Sequence, residues 1–107
     1  MKQGFVKVAS ATPRIRVSDP VYNAQVICEQ AKEAAEHGAK IVVFPELCIT
    51  GYTCNDLFLQ ELLLEKAKEA LLTIAEETGQ LETLFLVGLP VDKDGRLYNV
   101  AAVLYRG

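Results

Sequence analysis

Apolar and polar positions fall into blocks along the chain that predict strands and helices in turn. The run Ile41–Phe44 has no polar position, which is typical of a parallel strand covered on both faces. Pro45 has no N–H for a strand ladder, so this strand is expected to end there. Pro90 is expected to end a later strand near Leu89 for the same reason. The predicted strands comprise residues 5–11, 41–44, 84–91 and 97–105.

Two segments between the strands have the three- and four-residue spacing of amphipathic helices. Asp19 is a candidate N-cap, Pro20 suits the first helical position, and Gly38 suits the C-cap. The second helix is expected from about Glu61 to Gly79, and a short helix or single turn precedes it at residues 57–59. The apolar stripes comprise Val21, Ala24, Cys28, Ala31 and Ala35 in the first helix and Leu64, Ala67, Leu71, Ile74 and Thr78 in the second.

The order of these elements is strand, helix, strand, helix, strand, strand. It predicts an α/β layered domain with a mixed sheet, in which helical crossovers join the first three strands. Asp94-Gly95 is a strong turn signal, so the last two strands should form an antiparallel hairpin. The last strand has no partner of its own and is expected to present an open edge.

Composition and charge exclude several classes of protein. The chain has 107 residues, which is one domain or part of one, and 50% of them are hydrophobic, as in globular proteins. A net charge of −3 without a basic cluster argues against a nucleic-acid partner. No apolar run approaches the ~20 residues of a membrane span, and no signal peptide is expected. The single histidine, His37, excludes a His-rich metal site and is expected to cap a helix or face solvent.

The three cysteines are odd in number and have no C-x-x-C spacing, which predicts free thiols in a reducing compartment, by default the cytoplasm. Cys28 lies on a helix stripe and is expected to be an inert core thiol.

Glu46 is the first charged residue beyond the buried strand Ile41–Phe44. Active-site residues of open α/β sheets usually lie at this position, past the carboxyl end of a strand. A second interpretation is that Glu46 only solvates the strand end, and the local pattern alone favours it.

The residues around Glu46 resemble the nitrilase superfamily of carbon–nitrogen hydrolases. The resemblance begins at Phe44-Pro45-Glu46-Leu47 and continues at Thr50-Gly51-Tyr52. The longer string over residues 45–58 is similar to the N-terminal glutaminase domains of glutamine-dependent NAD+ synthetases. Gly88-Leu89-Pro90 and Leu97-Tyr98-Asn99 also fit that family. The resemblance covers the whole chain, with a departure at residue 55, where an asparagine stands in place of an expected glycine.

This resemblance implies that residues 1–107 form the N-terminal part of a nitrilase-like αββα sandwich, with element order β-α-β-α-β-β. The family uses a Glu-Lys-Cys catalytic set, of which only the glutamate maps onto this chain, at Glu46. Its lysine and cysteine are expected beyond residue 107, and Cys28, Cys48, Cys54 and Lys93 do not match their motifs. Tyr52 resembles a residue that lines the glutamine pocket; otherwise it is a packing residue.

The resemblance also implies partners and cofactors. Glutamine would be the substrate, and the rest of the same polypeptide would complete the site and carry the synthetase domain. ATP and magnesium are implied for that missing domain, and no cofactor is expected in this chain. A homo-oligomer is expected. The alternatives are another nitrilase-superfamily amidase or nitrilase, and a non-catalytic α/β module that binds or oligomerises.

Overall fold

The computed structural model describes residues 6–50 and 61–107, apart from the side chain of Glu61. Six elements lie within these residues: β1 (Val8–Ser10), α1 (Pro20–Glu36), β2 (Ile41–Val43), α2 (Glu61–Glu77), β3 (Leu84–Lys93) and β4 (Arg96–Leu104). The mixed α/β architecture predicted from the sequence is confirmed. The short helix expected at residues 57–59 lies outside the described residues.

The strands form one sheet in the order β1-β2-β3-β4. β1 pairs parallel to β2, and β2 pairs parallel to β3, so that Ala9, Val42 and Phe85 share one row. β3 and β4 are antiparallel and pair from Phe85 with Leu104 to Lys93 with Arg96. The predicted hairpin at Asp94-Gly95 is thereby confirmed.

Local chemistry explains the bounds of α1. The Asp19 carboxylate accepts a hydrogen bond from the backbone N–H of Tyr22 at 3.1 Å, and Pro20 occupies the first helical position. At the other end, Gly38 has a φ of +86°, a conformation that favours glycine. The predicted N-cap is therefore confirmed, whereas the C-cap is His37 and Gly38 is the residue that follows it.

The buried helix faces differ slightly from the predicted stripes. Val21 is 62% exposed, because it lies at the margin of a buried face that runs through Asn23, Ala24 and Ile27. The face of α2 is likewise centred on Leu63, Ala67, Ala70 and Ile74, with Leu64 and Leu71 half-buried. Among the residues described, no helix has the length and apolar character needed to cross a membrane.

The helices cover one face of the sheet. Val42, Phe85, Val87 and Leu89 point into the core on that side and are nearly inaccessible to solvent. The opposite side, here named the open face, carries Val8, Val43, Leu86, Asn99, Ala101 and Val103. The prediction that β2 is covered on both faces is wrong for this chain: Val43 is 43% exposed, because α1 and α2 pack on one side only.

The prediction that Pro90 ends its strand is also wrong. β3 continues to Lys93, and Pro90 pairs with Asn99 of β4. The Leu86 carbonyl faces β2, since it accepts the Phe44 N–H at 2.9 Å. Along a strand the backbone N–H and C=O groups of every second residue face the same neighbour. The nitrogen of Pro90, four residues after Leu86, therefore faces the β2 side, where β2 has already ended. The missing N–H therefore interrupts no ladder.

Candidate active site

A tight turn after β2 places Glu46 on the open face. The Phe44 N–H makes a final bond to β3, and Pro45 then stops the ladder. The backbone folds back through bonds from Cys48 N to Pro45 O at 3.3 Å and from Thr50 N to Leu47 O at 3.2 Å. Leu47 has a φ of +54°, which is uncommon for a residue with a side chain. The predicted end of the strand at Pro45 is confirmed.

Gly88 of β3 provides the surface against which this turn packs. Its carbonyl accepts hydrogen bonds from the Ile49 N–H at 3.2 Å and from the Cys48 Sγ at 3.7 Å. A Cβ at Gly88 would lie 2.5 Å from the nitrogen of Leu47 and 2.9 Å from the oxygen of Pro45. Only glycine permits this approach, so Gly88 sets the distance between the Glu46 backbone and the sheet.

Asn23 of α1 holds the far end of the same turn. Its side-chain amide donates to the carbonyl of Ile49 at 2.6 Å and to that of Arg16 at 2.8 Å, and its Oδ1 accepts the Arg16 N–H at 2.6 Å. Asn23 is fully buried, so these bonds satisfy a polar group that would otherwise be costly. This role of Asn23 was not predicted, although an asparagine among the apolar positions of a helix is a detectable signal.

The Glu46 side chain lies beside a shallow hollow of about 350 Å³. The hollow is lined by Val43, Phe44, Glu46, Leu86, Asn99, Val100 and Ala101. The Glu46 residue is exposed to solvent. The Asn99 side-chain amide donates a hydrogen bond to its Oε1. A carboxylate held in this way above an apolar floor can accept and return a proton.

None of the other candidate residues that the structure describes lines this hollow. Tyr52 lies outside the described residues, as does Cys54. His37 caps α1, with its Nδ1 2.8 Å from the Glu33 carbonyl, which confirms a capping role. Among residues 6–50 and 61–107, no group of three or more His, Cys, Asp or Glu side chains could hold a metal ion.

The two described cysteines are poor nucleophiles. Burial raises the pKa of the Cys48 thiol to about 11, and burial, reinforced by the charge of Glu77, also raises the pKa of Cys28. A thiol attacks as its thiolate, so both remain in the unreactive form near neutral pH. This agrees with the expectation that Cys28 is an inert core thiol and that neither cysteine is the nucleophile.

Comparisons with known proteins identify the family of this chain. The family model for carbon-nitrogen hydrolases matches residues 7–107. A glutamine-dependent NAD(+) synthetase of Mycobacterium tuberculosis is 38% identical over 106 residues, covering 99% of this chain and 16% of that protein. The chain therefore spans about a sixth of the length of this relative.

Solved structures extend the comparison to the fold. A glutamine-dependent NAD(+) synthetase from Cytophaga hutchinsonii superposes with a TM-score of 0.87 at 31% identity, over 94% of this chain and 17% of that one. An amidase from Nesterenkonia sp. has a TM-score of 0.79 at 23% identity, over 99% of this chain and 40% of that one, and shows the fold alone. On the family match over nearly its whole length, the chain belongs to the carbon-nitrogen hydrolases.

Proposed function

We propose that residues 1–107 are the N-terminal part of the glutaminase domain of a glutamine-dependent NAD+ synthetase. The observation that carries the proposal is the 38% identity to a synthetase of that name over 99% of the chain. The position of Glu46 beside a hollow on the open face supports it. This part of the domain contributes the base, and the rest of the same polypeptide contributes the other reacting groups.

The proposed reaction assigns Glu46 two proton transfers. A cysteine thiol from the remainder of the domain loses its proton to Glu46, and the sulfur attacks the amide carbon of glutamine. Ammonia leaves with that proton, giving a thioester that water hydrolyses to glutamate. A lysine, also supplied by the remainder, stabilises the negative charge on the carbonyl oxygen. Tyr52 lines the glutamine pocket in this proposal.

The ammonia then amidates nicotinic acid adenine dinucleotide in a synthetase domain that uses ATP and magnesium. A solved synthetase from Acinetobacter baumannii holds adenosine diphosphate, in keeping with that nucleotide chemistry. In this proposal the magnesium ion binds in the synthetase domain. The proposed setting is a cytoplasmic homo-oligomer.

The open face supports the proposal that further chain completes the site. Val8, Val43 and Val103 are 63%, 43% and 60% exposed and lie on the same side of the sheet as Glu46. Covering them would remove apolar surface from water and would enclose the hollow. A covering layer at this place could therefore carry the lysine and cysteine to Glu46.

Isotope transfer tests the proposed substrate. The polypeptide that carries this chain with the remainder of its domains is supplied with glutamine labelled with ¹⁵N at the side-chain amide, together with ATP, magnesium and the acid dinucleotide. The expected product is NAD+ with ¹⁵N in its carboxamide. Hydrolysis of simple amides or nitriles without glutamine turnover would instead favour another amidase or nitrilase. Absence of any amide or nitrile hydrolysis would favour the non-catalytic module.

A further inference from the structure

The open face brings Asn99 to Glu46 from a different part of the chain. The two residues are 53 positions apart, and the Asn99 Nδ2 donates to the Glu46 Oε1. Asn99 lies within the β3–β4 ladder and pairs with Pro90. Pro90 is two residues along β3 from Gly88, against which the Glu46 turn packs. We propose that Asn99 is a positioning residue that orients the Glu46 carboxylate for proton transfer, an inference that rests on the proposed role of Glu46.

The chemistry of the hollow favours an orienting role. Among its described lining residues, Glu46 is the one ionisable residue and Asn99 the one whose side chain has an N–H donor; the others are apolar residues. A hydrogen bond from an amide to a carboxylate is assisted by the charge and restricts rotation of the carboxylate. An amide does not titrate, so Asn99 cannot compete with Glu46 for the proton.

The backbone on each side of this contact is held firmly. Asn99 belongs to a nine-residue strand paired along its length with β3. The Glu46 turn is fixed by its bonds to Gly88 and by the Asn23 clamp on Ile49. A side chain on a strand is placed more accurately than one on a loop, so the strand residue Asn99 can hold the Glu46 carboxylate in a defined position. The contact therefore joins two rigid supports.

The test uses the full-length polypeptide and two substitutions, Asn99→Asp and Asn99→Ala, measured beside Glu46→Gln. We expect both Asn99 variants to lower the kcat of glutamine-dependent NAD+ formation by about 10- to 100-fold. This is the loss typical when a residue that orients a metal-binding side chain by a hydrogen bond is removed. The KM for glutamine and the rate with ammonium should stay near the wild-type values. Asn99→Asp should be at least as severe as Asn99→Ala, because it keeps the shape but replaces the donor with a second carboxylate.

Asp92→Asn is the matched control, because it makes the reverse exchange of amide and carboxylate at an exposed position of β3 on the open face. It should leave both activities unchanged. Melting of the glutaminase domain is followed in every variant. An active Asn99→Asp with an impaired Asn99→Ala would show a packing role and overturn the inference, as would unfolding or an equal loss of both activities.

Glu46→Gln distinguishes a failure of the Asn99 inference from a failure of the proposed role of Glu46. If Glu46→Gln loses glutamine-dependent activity while both Asn99 variants keep it, the positioning inference is wrong and the proposed function stands. If Glu46→Gln keeps full glutamine-dependent activity, the proposed role of Glu46 is wrong, and the inference about Asn99 is wrong with it.

Discussion

Gly88→Ala should displace Glu46 by pushing the backbone of its turn away from β3. The added Cβ would lie 2.5 Å from the Leu47 nitrogen, 2.9 Å from the Pro45 oxygen and 3.1 Å from the Glu46 carbonyl carbon. All three atoms belong to the backbone, so no side chain can rotate away. An ordinary contact begins near 3.4 Å. The turn must therefore withdraw from β3 by about 1 Å, a displacement that can lower a rate by about 100-fold.

The same displacement should lower stability. Overpacking typically costs about 1–3 kcal/mol, and this case lies at the upper end because all three close contacts are with backbone atoms. Withdrawal would also weaken the bond from Ile49 N to Gly88 O, with a contribution of about 1 kcal/mol. Together these terms predict a loss of about 3–4 kcal/mol in the free energy of unfolding.

Gly38→Ala is the control that separates a loss of protein stability from a displacement of Glu46. A Cβ at Gly38 meets no atom within 4 Å, but its φ of +86° strains any other residue, with a cost of about 1 kcal/mol. Glutamine-dependent NAD+ formation and thermal melting are measured for both variants below their melting temperatures. Gly38→Ala should retain activity, and Gly88→Ala should lose about 100-fold. Equal retention by both variants would refute the claim that Gly88 sets the position of Glu46.

Three further predictions follow from the open face and the buried thiols. The 107-residue chain alone should release no ammonia from glutamine, and release abolished by thiol alkylation would contradict this. The same chain should self-associate, because the exposed Val8, Val43 and Val103 share one face; sedimentation as a concentration-independent monomer would count against it. Cys48, with its pKa raised to about 11, should react with iodoacetamide at pH 8 about 100-fold more slowly than an ordinary thiol, and unfolding should remove the difference. Peptide mass spectrometry measures the rate, and a rate equal to that of an ordinary thiol in the folded protein would contradict the prediction.

Much of the fold follows from local pattern. The N-cap of α1, the end of β2 at Pro45 and the Asp94-Gly95 hairpin each depend on a few neighbouring residues, and each was predicted correctly. Pro90 was misjudged because its effect depends on which side of β3 its nitrogen faces. That side is determined by where β2 ends, which is not a local property.

The candidate site was predictable only in part. The position of Glu46 after a buried strand and the motif around it drew attention to the carboxylate. Its contact with Asn99 depends on the β3–β4 register and on the close packing at Gly88. Asn23 acts through a turn that is distant in sequence. Such pairings arise from tertiary packing, which periodicity along the chain does not encode.

The most direct test of the central claim is Glu46→Gln in the full-length polypeptide, assayed for NAD+ formation with glutamine and with ammonium chloride. Glutamine has nearly the shape of glutamate but cannot accept the thiol proton, so packing around the turn should survive. General acid–base groups contribute about 100- to 10,000-fold, and loss of one that serves both proton transfers should fall near the upper limit. We expect glutamine-dependent formation to disappear while ammonium-dependent formation continues. An equal fall in both would show that Glu46 is structural, and no fall in either would show that the base lies elsewhere.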